Sequence, residues 1–213
     1  NKSFTTYVEP FVGGMGAFLS VYDLLEDFGI KKVILNDINS NVINIYKVIN
    51  EENGFKIKDL VQEIVILEKS FISFIPAGTK KLHKLKEKNQ IKLELKDANC
   101  FFLEKRKIFN ILLKNEMKSH KEILESCALL IFLQSHCFNG IYRENSRGEY
   151  NTPFNWDVKE KTEKQLLEDI NSIKNVFDKF DLILMNKSAI DFIFDKNSFY
   201  YLDPPYLNED EVE

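Results

Sequence analysis

Asp203-Pro204-Pro205-Tyr206 places a carboxylate, two stiff imide residues and an aromatic ring directly after the apolar run SFYYL. A planar amino group conjugated to a heteroaromatic ring is a poor nucleophile, because its lone pair is delocalised. The Asp203 carboxylate and the Pro204 carbonyl, fixed by rigid backbone, could accept both amino hydrogens and favour a tetrahedral nitrogen as positive charge develops. Tyr206 could hold the ring by stacking. The plainer reading is a turn that ends a strand, with Asp203 as turn former. Gly13, Gly14 and Gly16 form a second candidate, since glycine lets backbone approach a ligand closely. Asp37 follows about twenty residues later, where an acid accepts hydrogen bonds from ribose hydroxyls. Together they suggest an adenosine-bearing cofactor. Glycines also simply make turns, and Asp37 opens the helix-entry sequence NDINSN.

These residues need a strand, a loop and a helix to position them. Residues 5–11 read as a β-rich run broken at Pro10, followed by the glycine loop and an amphipathic helix ending at Gly29. Residues 31–37 form a second predicted strand, and residues 40–53 a helix capped by Ser40 or Asn39. This βαβα start predicts a parallel sheet. From about Phe55 to about Glu125 the pattern is helical and charged. Residues 122–138 then read as one apolar helix, leading into a polar, loop-like stretch. Alternation resumes with a helix over 163–180, a strand over 181–186, a short helix in SAIDFI, and a last strand before Asp203. We therefore expect an α/β platform, residues 1–55 and 160–213, interrupted by a mostly helical lobe, residues 56–159. Four strand candidates leave the last one as an unpaired apolar edge, which predicts that the chain is part of a longer polypeptide.

The 213 residues are 44% hydrophobic and 29% charged, an ordinary globular composition. The net charge of −4 argues against coating nucleic acid through bulk electrostatics. Locally, residues 79–97 carry seven lysines against three acids and could meet phosphates, or form a solvated helix face. Cys100, Cys127 and Cys137 lack metal-like spacing, so no metal site and a reducing, cytoplasmic setting are expected. No apolar run approaches the roughly 20 residues that span a bilayer. His136 and Cys137 end an apolar helix and read as core; His83 and His120 are isolated. Arg106, in the aromatic-rich stretch over 100–113, could face DNA.

Four segments, in order, resemble one family. VEPFVGGMGAF, LNDINSNVINIY, FNGIYRENSRGEYNTPF and YYLDPPY are similar to the motifs of the Dam family, the D12 class of S-adenosylmethionine-dependent DNA adenine methyltransferases. The resemblance implies a Rossmann-like methyltransferase sheet with an inserted, mostly helical DNA-recognition lobe. It implies transfer of a methyl group from S-adenosyl-L-methionine to the exocyclic amino nitrogen of a flipped adenine, with a GATC-like site as the softer expectation. Glu9, Pro10, Phe11, Gly13 and Gly14 would cradle the cofactor's methionine part and Asp37 its ribose. Asp203, Pro204, Pro205 and Tyr206 would hold the adenine, with Asp203 also beside the cofactor. In the hairpin near 138–154, Asn139 and Ile141 would sit at the opened base step, Arg143 would reach a guanine edge and Arg147 a phosphate; Asn145 and Pro153 complete the DNA-binding set.

The implied partner is double-stranded DNA, with a cognate restriction endonuclease as a further candidate and no membrane. The chain departs from the family pattern at Met15, where the second glycine of the F-x-G-x-G loop would fall. Two other readings stay open: a catalytically silent DNA-binding subunit or fragment, and an amino-methyltransferase acting on RNA or on a protein glutamine. Asp203 counts against the glutamine option, because such enzymes usually carry asparagine there.

Overall fold

The computed structural model describes residues 4–76, 88–156, 162–192 and 194–204. Pro205, Tyr206, His83 and the first half of the lysine-rich stretch therefore lie outside the described residues. The chain divides into two compact units, Asn1–Asn53 with Asn171–Glu213, and Gly54–Ile170.

The first unit is built on four parallel strands, β1 (Thr6–Glu9), β2 (Lys32–Asn36), β3 (Asp181–Met185) and β4 (Ser198–Tyr200), in the order β3-β2-β1-β4. Tyr7 pairs with Val33 on one side and Phe199 on the other. Tyr7, Val8, Val33 and Leu35 are buried, the near-continuous apolar pattern of a parallel sheet. α1 (Gly16–Asp27) inserts Phe18 and Leu25 into this core. It ends where Gly29 takes φ 73° and donates to Glu26 C=O, while Ile30 N–H donates to Leu25 C=O. α2 (Ser40–Ile49) starts at Asn39, whose side chain accepts from Asn41 N–H at 3.0 Å. From β1 the chain steps outward through β2 to β3, whereas β4 returns to the opposite side of β1. The direction of winding thus reverses between β1 and β4, and crevices form at the carboxyl ends of strands at such a point. Among the described residues β3 and β4 are the sheet's edges.

In the second unit α3 (Ile57–Ile72), α5 (Lys96–Leu113) and α6 (His120–His136) pack together, with α4 (Lys88–Glu94) beside α5. Leu60, Ile64, Phe71, Phe102, Phe109 and Phe132 fill the space between them. The apolar helix starts two residues earlier than its sequence suggests, because Ser119 and Glu122 form a reciprocal capping box. It also stops earlier, at His136, because Cys137 turns extended and bridges Phe154. α7 (Glu163–Phe177) straddles the division between the units. The SAIDFI segment is a single 3-10 turn, Ala189–Asp191, entered through Ser188, whose hydroxyl accepts from Ile190 N–H.

Candidate active site and recognition hairpin

Three acids emerge at the carboxyl ends of three neighbouring strands: Glu9 on β1, Asp37 just past β2 and Asp203 just past β4. Pairing continues beyond β4, with Tyr201 N–H donating to Val8 C=O at 3.0 Å, so the backbone approaching Asp203 is held beside β1. Asp203 and Pro204 are exposed.

Glu9 is buried, and its carboxylate accepts from the Tyr7 hydroxyl at 2.8 Å. Burial pushes its carboxyl above the ordinary value, against the Tyr7 hydroxyl and the Phe18 N–H, which pull it down; the charge of Asp203 adds to the rise. Burial, followed by the hydrogen bond and charge of Glu9, pushes the Tyr7 hydroxyl far up as well.

The glycine loop is tied down from behind. Asp37 accepts from Gly13 N–H at 2.9 Å and from Asn39 N–H at 2.8 Å. Each carboxylate oxygen has two lone pairs, so acceptor capacity for hydroxyl groups remains. Tyr46 donates its hydroxyl to Gly13 C=O, and burial keeps that hydroxyl protonated, assisted by the charges of Asp37 and Glu9. Buried Asn36 donates to Pro10 C=O at 2.9 Å and Lys187 C=O at 3.0 Å, while its own C=O accepts from Val12 N–H. Pro10 is buried and Phe11 half-buried at the loop's entry.

Gly13 has φ 44°, a conformation that favours glycine. Gly14 and Gly16 have neither a positive φ nor any atom within 4 Å of the place a Cβ would take. Their bareness has no packing cause within the described residues, and it leaves backbone open to a ligand. Met15 occupies the left-handed region at φ 62°, with its side chain buried in the core.

The second unit carries an antiparallel hairpin. Asn145 N–H donates to Glu149 C=O and Asn151 N–H to Arg143 C=O, both at 2.9 Å, around the Glu144–Tyr150 bridge. Asn139 and Gly140 both take positive φ, at 56° and 64°, which turns the chain between exposed Phe138 and Ile141. Arg143 is exposed and donates through Nε to the Asn151 side chain at 2.9 Å, which orients the guanidinium. Arg147 is exposed, 3.4 Å from Glu149. Asn145 is committed to the turn: its oxygen accepts from Arg147 and Glu149 N–H groups and its nitrogen donates to Glu149. Pro153 pins the hairpin's base, accepting from Phe138 N–H at 2.9 Å. Arg106, which the sequence left free to face DNA, instead donates to the carbonyls of Asn151 and Thr152.

The family model for the D12 class of N6 adenine-specific DNA methyltransferases matches residues 1–213. The chain belongs to this family. As a D12-class chain it is 33% identical to the type II methyltransferase M.MjaIII of Methanocaldococcus jannaschii, over 94% of its own length and 58% of that protein. It is 25% identical to the DNA N-6-adenine-methyltransferase of Escherichia phage P1, over 93% of itself and 20% of the phage protein. With a DNA adenine methylase of Serratia marcescens it shares 28% identity over 69% of itself and 38% of that protein. The chain thus spans less than two thirds of each of these relatives. Enzymes of the D12 class take their methyl group from S-adenosylmethionine.

Several bracing residues of this D12-class chain escaped the motif reading: Tyr7, Asn36 and Tyr46 around the glycine loop, and Asn110 and Asn151 around the hairpin. Only Asn36 leaves a signal in sequence, as an amide closing an otherwise apolar strand. No group of three or more potential metal ligands occurs among the described residues, and no described helix is long and apolar enough to cross a membrane.

Proposed function

We propose that the protein carrying this chain is a site-specific DNA adenine methyltransferase, acting on an adenine turned out of double-stranded DNA. The observation that carries this reading is the convergence of Glu9, Asp37 and Asp203 on adjacent strand ends at the point where the sheet's winding reverses. S-adenosylmethionine supplies an electrophilic methyl group on a sulfonium centre. The residues present fit such a molecule. Bare backbone at Gly14 and Gly16 admits close approach, Asp37 retains acceptors for ribose hydroxyls, and Glu9 and Asp203 add acidic groups that suit a cationic sulfonium. Glu9, Pro10 and Phe11 would flank the methionine part.

Asp203 and the Pro204 carbonyl then accept the two amino hydrogens of the adenine, raising electron density on the nitrogen as it attacks. Pro205 and Tyr206, outside the described residues, would add stiffness and a stacking surface. On this reading residues 1–55 and 160–213 are the catalytic platform, and residues 56–159 read DNA. Arg143 would address a guanine edge with its outward nitrogens, Arg147 a phosphate, and Asn139 and Ile141 the opened step. Asn145 and Pro153 would serve that set by shaping the hairpin. A GATC-like target, a cognate endonuclease and a cytoplasmic site of action complete the reading.

The test is methyl transfer by the Asp203→Ala variant of the protein expressed from its complete gene. Transfer should fall by about 10²–10³-fold, while DNA binding persists. Turnover at the original rate would refute the assignment.

A further inference from the structure

Tyr150 faces Glu144 across the hairpin between two inter-strand hydrogen bonds, so its own N–H and C=O point away from the first strand. Tyr150 is buried, and backbone groups there need partners. α5 supplies them. Asn110 donates through Nδ2 to Tyr150 C=O at 3.0 Å and accepts from Tyr150 N–H at 2.8 Å, so one side-chain amide stands in for a third strand. One turn earlier, Arg106 donates to Thr152 C=O at 3.1 Å and Asn151 C=O at 3.3 Å. One turn later, the Lys114 ammonium meets the Glu149 carboxylate at 2.9 Å. Residues four apart share a helix face, and this row takes up the hairpin's second strand in reverse order. Phe109 against Tyr150 and Phe102 against Phe154 close the apolar side of the same contact.

The strand so gripped carries Asn151, which orients Arg143, and Thr152, whose hydroxyl donates to Ile141 C=O at 2.8 Å. A one-residue slip would send every side chain on that strand to the opposite face. We propose that Arg106, Asn110 and Lys114 are positioning residues for target recognition, holding the hairpin in the one register that presents Arg143 to its base. They act on discrimination between sites and not on the transfer step. This rests on the function proposed above.

The test measures kcat/KM for the protein from its complete gene on its target duplex and on duplexes altered at one base pair. Asn110→Ala should lower the ratio of target to altered duplex by about tenfold, chiefly through KM, with S-adenosylmethionine affinity unchanged. Asn110→Gln, which keeps both the donor and the acceptor on a longer stem, should recover part of that ratio. Lys114 is exposed, so Lys114→Gln keeps the test decisive should Asn110→Ala not fold; its expected loss is about threefold. Folded variants with the original ratio, or with rates reduced equally on all duplexes, would overturn the inference. Absence of adenine methylation by the unaltered protein would instead overturn the proposed function, and this inference with it.

Discussion

Met15 holds a left-handed backbone conformation that a glycine would adopt without strain, yet its side chain lies in the core. The two effects oppose each other. Left-handed backbone costs an L-residue about 1–2 kcal/mol, whereas removing a buried methionine side chain costs about 2–5 kcal/mol. At mid-range burial wins, so Met15→Gly should lower unfolding free energy by about 2 kcal/mol in denaturant titration. A more stable variant would show that the strain dominates. Glu9 sets up a different opposition. Its folded pKa is raised above the ordinary 4.5, chiefly by burial. The folded state therefore holds its proton more tightly, and the stability this group contributes is complete below the ordinary value and lost as pH rises through the raised one. Gln has no proton to lose, and its carbonyl can still accept from Tyr7. The Tm difference between Glu9→Gln and the original protein should thus move in the variant's favour as pH rises above the ordinary 4.5. A pH-independent difference would contradict the burial argument.

Elements differ in how far their sequence discloses them. The parallel βαβα order was legible because apolar runs of strand and helix length alternate and are punctuated by Gly29, Asn39 and Pro10. The helix ending at His136 was legible too, but its first turn was not, since Ser119 and Glu122 form a capping box ahead of the apolar stretch. Bracing contacts stayed hidden because their partners are remote: Asn36 reaches Lys187 across 151 positions, and Asn110 reaches Tyr150 across 40. The same holds for α3 and α6, which are joined by buried Glu68 and His136 at 2.9 Å, with the rings of Phe71 and Phe132 around the imidazole. Sequence presented His136 as core; its carboxylate partner lies 68 positions away. His136→Ala strips a buried carboxylate of its partner and should cost about 3–5 kcal/mol. Replacing both residues by Leu should cost less than that single change. Equal losses would mean the pair contributes only by packing.

Across the whole molecule, a net charge of −4 means that, on the function proposed above, DNA affinity would rest on local features such as Arg143 and Arg147. The match to the D12 class extends along the full chain, and the chain spans 58% of the archaeal relative. The most direct measurement maps N6-methyladenine in plasmid DNA from cells expressing that gene, beside cells expressing the Asp203→Ala form. Methyl groups on adenine within one recurrent sequence, absent with Asp203→Ala, are the predicted result. An unmethylated plasmid, or the same marks in both, would contradict it.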